Sequence, residues 1–279
     1  MNQVSITTTP LASLTDNPYY NLSGIVQGAK LLHEKIPTIN FEFQNMAEWV
    51  QECEPRDSKT KGHRSKAWNL SKKYTVQEIA DVLKEANLPI LSIHANRDVG
   101  ICLCSNDDTE IELGKNMVND SFYLAESVGA KVIVFHFWDT FKQSFDIKYL
   151  KTTLDQFSKD FPSIIPSVEN VPTHLEGSTP YDLASYFDAV TLDIRWAAMY
   201  DELGKFPEIL DRIVNIHMRG TLGRDSYTLE NAPFSFDDAM HKILDDWGYS
   251  GILTFEPEHM IKPDCFNALV QTIRRVTNL

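Results

Sequence analysis

Short runs of β-branched and aromatic residues alternate with longer amphipathic stretches along the 279 residues of the chain. This alternation is typical of repeated strand-then-helix units and argues against a β-sandwich or a helical bundle. Eight runs have the composition of strands: residues 4–8, 39–43, 90–94, 131–137, 164–169, 190–193, 213–217 and 252–256. Helical patterns follow them at residues 24–34, 75–86, 111–128, 147–157, 180–186, 206–210, 236–247 and 264–276.

Eight strand-helix units in a chain of this length match one (β/α)8 barrel, which typically has about 250 residues. We therefore predict an α/β fold, a single-domain TIM barrel that spans residues 1–279. A polar insertion around residues 53–73 follows the second strand, where a barrel carries one of its active-face loops. It is either a lid that attracts an anionic substrate such as a sugar phosphate, or a solvated charged loop. Its cations include Arg56, Lys59, Lys61 and Arg64.

An excess of acidic residues gives the chain a formal net charge of −13. Such a charge repels a phosphate backbone, so we expect no nucleic-acid partner. No apolar run approaches the roughly 20 residues of a membrane-spanning helix, and the first residues lack the pattern of a secretory signal. We therefore expect a cytoplasmic protein with no membrane partner. The four cysteines are too few for a disulfide scaffold, and we predict reduced thiols.

Six consecutive predicted strands, the third to the eighth, end in a residue type that binds metals. These residues are His94, His136, Glu169, Asp193, His217 and Glu256. Because the carboxyl ends of barrel strands converge on one face, we expect the six side chains to meet there. Core packing or helix capping explains any one of them alone. Three carboxylates buried together, however, need a cation or a proton to offset their charge.

A divalent metal ion is the predicted cofactor. The predicted ligand set for one ion is Glu169, Asp193, His217 and Glu256. His94 and His136 either hold a second ion bridged by Glu169 or contact the substrate. Three carboxylates with one imidazole suit Mn²⁺, Mg²⁺ or Co²⁺, whereas additional histidines favour Zn²⁺. We predict a single ion and place Mn²⁺ first.

The order His, His, Glu, Asp, His, Glu on strands three to eight, with the segments SIHAN, GAKVIVFH and GYSGILTFE, resembles the xylose isomerase-like superfamily of TIM barrels. The resemblance covers nearly the whole chain. That superfamily includes tagatose and psicose 3-epimerases, hydroxypyruvate isomerase, inosose dehydratase and zinc-dependent apurinic endonucleases. It implies an open metal site in which Glu169 and Glu256 are also the catalytic pair. In the epimerase branch this pair removes and returns a proton on opposite faces of a carbon next to a carbonyl, through a metal-stabilised cis-enediolate.

Two positions depart from the family pattern. Many members have a histidine three residues after the strand-six aspartate, where this chain has Trp196. Its indole is either an apolar wall for a sugar ring or a packing residue. The endonucleases carry an Asp-x-His after strand seven, where this chain has Asp225, Ser226 and Tyr227. A three-zinc site is therefore not expected, which together with the net charge argues against DNA repair.

Further charged residues follow the strands. Arg219 and Arg224 come after His217 and are candidate contacts for a substrate hydroxyl, carboxylate or phosphate, with a surface ion pair as the alternative for Arg224. Glu258 is a candidate acid at the rim. Glu42 ends the second strand and is either a polar floor residue or a hydrogen-bond partner of a metal ligand.

These residues predict a metal-dependent isomerase or epimerase that acts on a small sugar, keto-polyol or related hydroxy-carbonyl compound by glutamate-mediated proton transfer. A dehydratase would use the same parts. The alternative from another class is a zinc-dependent phosphoesterase related to the apurinic endonucleases, favoured by His94 and His136. A noncatalytic barrel that binds a small ligand is a third hypothesis. The oligomeric state stays open, a homo-oligomer included.

Overall fold

The computed structural model describes residues 2–15, 21–45, 49, 72–138, 145–224, 226–229, 232–258 and 261–277. The described residues form nine strands. The strands are β1 (Gln3–Thr7), β2 (Asn40–Gln44), β3 (Ile90–His94), β4 (Val132–Phe135), β5 (Ile165–Glu169), β6 (Val190–Asp193), β7 (Ile213–Leu222), β8 (Tyr227–Thr228) and β9 (Ile252–Pro257). The loop predicted at residues 53–73 lies outside the described residues except for its last two positions. The lid hypothesis is therefore left as a prediction.

Eight of these strands close into a parallel barrel. Each of β1 to β6 pairs with its neighbour in the chain, β6 pairs with β7, and β9 lies between β7 and β1. The short β8 pairs antiparallel to the end of β7 and stands outside this ring. In the β7–β9 pair Arg219 lies beside Glu256, and in the β6–β7 pair Asp193 lies beside His217. The predicted (β/α)8 TIM barrel is confirmed.

Helices connect the strands on the outside of the barrel. They are α1 (Leu22–Lys35), α2 (Val76–Ala86), α3 (Val99–Leu103), α4 (Asp108–Val128), α5 (Ile147–Ser158), α6 (Pro180–Ala184), α7 (Ile194–Met199), α8 (Phe236–His241) and α9 (Phe266–Thr277). Short 3₁₀ segments cover Thr9–Thr15 and Leu203–Arg212, and a π turn over Lys242–Asp246 continues α8. No helix within the described ranges is long and apolar enough to cross a membrane.

Seven of the eight predicted strands begin and end within two residues of the observed ones. The seventh continues past residue 217 to Leu222 because its end pairs with β8, where the Tyr227 hydroxyl donates to the Met218 carbonyl at 2.6 Å. The segment predicted as a helix at residues 206–210 is 3₁₀, with Pro207 inside it. The sequence pattern does not predict the short helices α3 and α7, since neither is long enough to show a helical period.

The barrel interior differs from the outer core. Outside the sheet, apolar helix faces pack on the strands, as where Phe122 of α4 lies 6.2 Å from Phe135 of β4 between ring centres. Inside the ring, polar side chains without solvent exposure project from the strands. They are Ser5, Thr7, Glu42, Ser92, Ser167, Thr191, Asn215 and Thr254. A polar interior leads up to the candidate ligands at the carboxyl ends of the strands.

Candidate metal centre

The structure brings together the six metal-binding residues that the sequence places at strand ends. His94, Glu169, Asp193 and His217 have no solvent exposure, and Glu256 is 6% exposed. The His136 side chain is 18% exposed. Their convergence follows from the parallel order of the strands, which places every carboxyl end on the same face.

Glu169 lies at the centre of this group. Its Oε2 atom is 3.0 Å from Nε2 of His136, 3.4 Å from Nε2 of His94 and 3.4 Å from Nδ1 of His217. His94, His136 and Glu169 place their ligand atoms within 4.8 Å of one another, and they are the one such group in the described part of the chain. These are the residues predicted for a second ion or for substrate.

Arg219 connects the other two carboxylates. Its Nη2 atom lies 2.7 Å from Oε1 of Glu256, and its Nε atom lies 2.9 Å from Oδ2 of Asp193. The second oxygen of Glu256, Oε2, lies 3.2 Å from Nδ1 of His217. The guanidinium side chain is 16% exposed, so a fixed positive charge is part of the buried site.

The four predicted ligands fit a cation. Apart from the ion contacts already described, each has one buried atom that makes no hydrogen bond among the described residues: Glu169 Oε1, Asp193 Oδ2, His217 Nδ1 and Glu256 Oε2. Nε2 of His94 is a fifth such atom. Buried polar atoms that make no hydrogen bond are costly, and the one guanidinium does not balance three carboxylates, so a further positive charge fits this site. Carboxylate oxygens and imidazole nitrogens are the donors that divalent metals use.

Burial and charge set the ionisation of the three acids. Burial disfavours the charged form of Glu169, but the charges of His136 and His217 outweigh it and hold the pKa of Glu169 well below its ordinary value. Burial likewise opposes ionisation of Glu256, yet Arg219 and His217 lower its pKa to about 2. For Asp193, burial prevails over the attraction of Arg219 and raises the pKa to about 7. Both glutamates are therefore ionised at neutral pH.

Asp193 has two structural roles. Its Oδ1 atom accepts hydrogen bonds from the backbone N–H groups of Arg195 at 2.8 Å and Trp196 at 3.1 Å, so Asp193 is the N-cap of α7. Asn170, directly after β5, holds the Asp193 backbone, accepting from its N–H at 2.6 Å and donating to its carbonyl at 3.2 Å. Helix capping and the candidate metal role thus use different oxygens of one carboxylate.

Trp196 lies at the rim of the site, half-buried between two arginines. The guanidinium carbon of Arg219 is 5.0 Å from the ring centre, and that of Arg195 is 5.2 Å away. Arg195 also forms an ion pair with Glu258, which places the predicted rim acid beside the site. Arg224 lies elsewhere: its side chain is 80% exposed and pairs with Asp264 at 3.0 Å.

Sequence reasoning does not find every residue of this site. It gives Arg195 no role, because Arg195 lies in a helix too short to predict. It assigns Asn170 to a stiff turn after Glu169 but does not predict its hydrogen bonds to Asp193. The signal for Asn170 is its position immediately after a ligand at a strand end. Glu42 is buried beside His217, with 3.1 Å between its Oε1 and the ring atom Nε2.

Comparison with known proteins finds likeness in structure only. No sequence family and no curated protein matches the chain. Among solved structures, D-allulose 3-epimerase from Methylomonas sp. is 10% identical, with a TM-score of 0.66 over 98% of this chain and 97% of that one. A sugar phosphate isomerase/epimerase from Parabacteroides distasonis is 12% identical, with a TM-score of 0.62 over 98% of this chain and 94% of that one.

A structure from a second enzyme class is similar as well. Endonuclease IV from Thermus thermophilus is 15% identical, with a TM-score of 0.56 over 99% of each chain. At such low sequence identity, the structural similarity establishes the fold alone, and the activity has to be inferred from the residues of the site. The chain has a TIM-barrel fold similar to those of a D-allulose 3-epimerase, a sugar phosphate isomerase/epimerase and endonuclease IV.

Proposed function

We propose that this protein is a metal-dependent isomerase or epimerase acting on a small sugar, keto-polyol or related hydroxy-carbonyl compound. One observation carries the proposal. Glu169 and Glu256 are buried at the ends of two barrel strands, and their carboxylates lie 3.4 and 3.2 Å from the same atom, Nδ1 of His217. Two ionised carboxylates close to one candidate ligand atom suit proton removal and proton return.

The residues that would hold the divalent ion are Glu169, Asp193, His217 and Glu256, each with one buried atom that makes no hydrogen bond among the described residues. An ion bound there supplies a positive charge that polarises a substrate carbonyl and acidifies the neighbouring C–H bond. Three carboxylates with one imidazole favour Mn²⁺, with Mg²⁺ and Co²⁺ next, and the nearby pair of histidines keeps Zn²⁺ as a further choice.

Glu169 and Glu256 would exchange the proton with the substrate carbon. Both are carboxylates at neutral pH, so either is able to accept the proton that the other later replaces. Arg219 keeps Glu256 ionised and directs its Oε1 atom. Arg219 and Trp196 form the adjoining wall, where a guanidinium would donate to substrate hydroxyls and an indole would pack on the ring. Arg224 is not part of this wall, because its exposed side chain pairs with Asp264.

The first test measures metal content and proton exchange together. Protein purified without chelator should contain one equivalent of manganese, cobalt or magnesium per chain, and Glu169→Gln should lose it. A panel of ketoses and keto-polyols is then incubated with the Mn²⁺-loaded protein in D₂O. Deuterium should enter at the carbon next to the carbonyl with the wild type and not with Glu256→Gln. Failure of every substrate to exchange would refute proton-transfer chemistry, and absence of metal after reconstitution would refute the metal site.

The His94–His136–Glu169 triad favours a second candidate, a zinc-dependent phosphoesterase. A second ion held by these three residues and sharing Glu169 would suit activation of water for attack on a phosphate ester. Two equivalents of zinc and hydrolysis of a phosphodiester, both lost in His94→Gln, would favour this activity. One equivalent of metal that persists in His94→Gln would exclude it.

A further inference from the structure

A buried carboxylate contacts the ring nitrogen of His217 that does not face the candidate ligands. Glu42 of β2 has no solvent exposure, and its two oxygens lie 3.1 and 3.2 Å from Nε2 of His217. The other ring nitrogen, Nδ1, faces Glu169 and Glu256. His217 therefore stands between Glu42 and the proposed metal site.

Two further donors hold the Glu42 carboxylate in place. Oε2 of Glu42 accepts from Ser92 Oγ at 2.8 Å and from Asn215 Nδ2 at 3.1 Å. The amide of Asn215 is itself oriented, because Thr254 Oγ1 donates to its Oδ1 atom at 2.8 Å. All four side chains are fully buried within the barrel. The network thus presents Glu42 as an acceptor to each neighbour, His217 included.

We infer that Glu42 is a positioning residue that fixes His217 in the tautomer with hydrogen on Nε2 and so prepares Nδ1 as a metal ligand. The inference rests on the proposed metal site. A carboxylate has no proton to give, so the ring nitrogen it contacts must carry the N–H. In the neutral ring the lone pair then lies on Nδ1, which faces Glu256 at 3.2 Å and Glu169 at 3.4 Å. Two carboxylates repel a lone pair between them, so Nδ1 is placed to hold either a proton or a metal cation.

The direct test replaces Glu42 with its amide. Glu42→Gln keeps the shape of the side chain but brings an NH₂ group among three donors, so His217 loses its fixed orientation. We expect affinity for Mn²⁺ and Zn²⁺, measured separately against a fluorescent chelator, to fall about 10- to 100-fold. The matched control is Ser167→Ala. Ser167 is equally buried inside the barrel but bonds to Thr191 and to the Ile133 carbonyl, not to Glu42, so its metal affinity should be unchanged.

A second readout separates positioning from stability. Nitrogen NMR of the ring should show His217 with hydrogen on Nε2 in the Zn²⁺-loaded wild type and in the metal-free protein at alkaline pH. Glu42→Gln should give a mixture of tautomers, while its melting temperature in chelator falls no further than that of Ser167→Ala. Should Glu42→Gln fail to fold, Glu42→Asp keeps the charge and withdraws it from the ring, and the same measurements apply.

The inference is overturned when the folded Glu42 variant binds both metals within about twofold of the wild type, or when its tautomer is unchanged. These results do not depend on turnover. A protein that binds metal and shows the expected tautomer but exchanges no substrate proton would refute the proposed function and leave this inference standing.

Discussion

Arg219 is the positive charge that balances two buried carboxylates, and its removal should cost stability in a way that metal reverses. In Arg219→Met the side chain keeps much of its volume and loses the contacts to Glu256 at 2.7 Å and Asp193 at 2.9 Å. Opposite charges about 4 Å apart attract by about 4 kcal/mol at an effective dielectric constant of 20, and desolvation offsets part of this. Removing one partner of a buried pair costs about 3 to 5 kcal/mol, which is the loss of unfolding free energy we expect in chelator.

Divalent metal should restore much of this loss. A ligand at 100 times its dissociation constant stabilises the folded state by about 2.7 kcal/mol. Because Arg219 also repels an incoming cation, Mn²⁺ should stabilise the variant more than it stabilises the wild type. The assay is urea unfolding with and without Mn²⁺. The matched control is Arg224→Met, since Arg224 pairs with Asp264 at the surface and should change stability by no more than about 0.5 kcal/mol.

Two results would refute this reasoning. One is an Arg219→Met variant within about 1 kcal/mol of the wild type in chelator, because a buried pair would then count no more than a surface pair. The other is equal stabilisation of both proteins by Mn²⁺, because Arg219 would then exert no charge effect on the ligands.

Three further measurements test the electrostatics and the packing. Burial raises the pKa of Asp193 to about 7, and although burial lowers the pKa of His217, Glu42 and Glu169 raise it well above its ordinary value. Both ligands must lose protons to bind metal, so the affinity for metal should rise as the pH rises through neutrality. Titration calorimetry in buffers of different ionisation enthalpy should detect the released protons, and equal binding heats in all buffers would contradict this. Gly28→Ala should destabilise the protein by about 1 to 3 kcal/mol in urea unfolding, because the alanine Cβ would overlap the Leu11 carbonyl. This overlap should outweigh the better helix propensity of alanine, and a stabilised variant would show that α1 shifts freely. Phe122→Ala should lose about 3 to 5 kcal/mol in the same assay, since the ring is fully buried; a loss below about 1 kcal/mol would mean that the core collapses into the cavity.

The sequence predicts the fold and the gathering of ligands for the same reason. Alternation of strand and helix patterns implies a barrel, and a barrel brings all strand ends to one face. The contacts of His94 with Glu169 and of His217 with Glu256 therefore follow from the fold without any information on distance. Seven strands are placed within two residues on this basis. The antiparallel strand β8 is not predicted, because a strand of two residues is too short to show a periodic pattern.

The pairing of charges inside the site depends on register, which the pattern does not supply. Arg219 contacts Glu256 because the β7–β9 register places them side by side, and a shift by one residue would turn one of them to the other face of the sheet. The ion pair of Arg195 with Glu258 depends in addition on the direction in which α7 leaves β6. Residue types at strand ends therefore predict which side chains meet, while the observed contacts decide which of them neutralise each other.

The stack of Arg219, Trp196 and Arg195 limits how the specificity of this barrel could be redesigned. Each guanidinium lies about 5 Å from the shared indole and forms an ion pair with an acid at the end of β9, Arg219 with Glu256 and Arg195 with Glu258. Replacing Trp196 with histidine would remove the indole that both guanidinium groups contact. The two arginines would then be held by their ion pairs alone. Because these three side chains support one another, a redesign of this part of the site should change them together with the α7 turn.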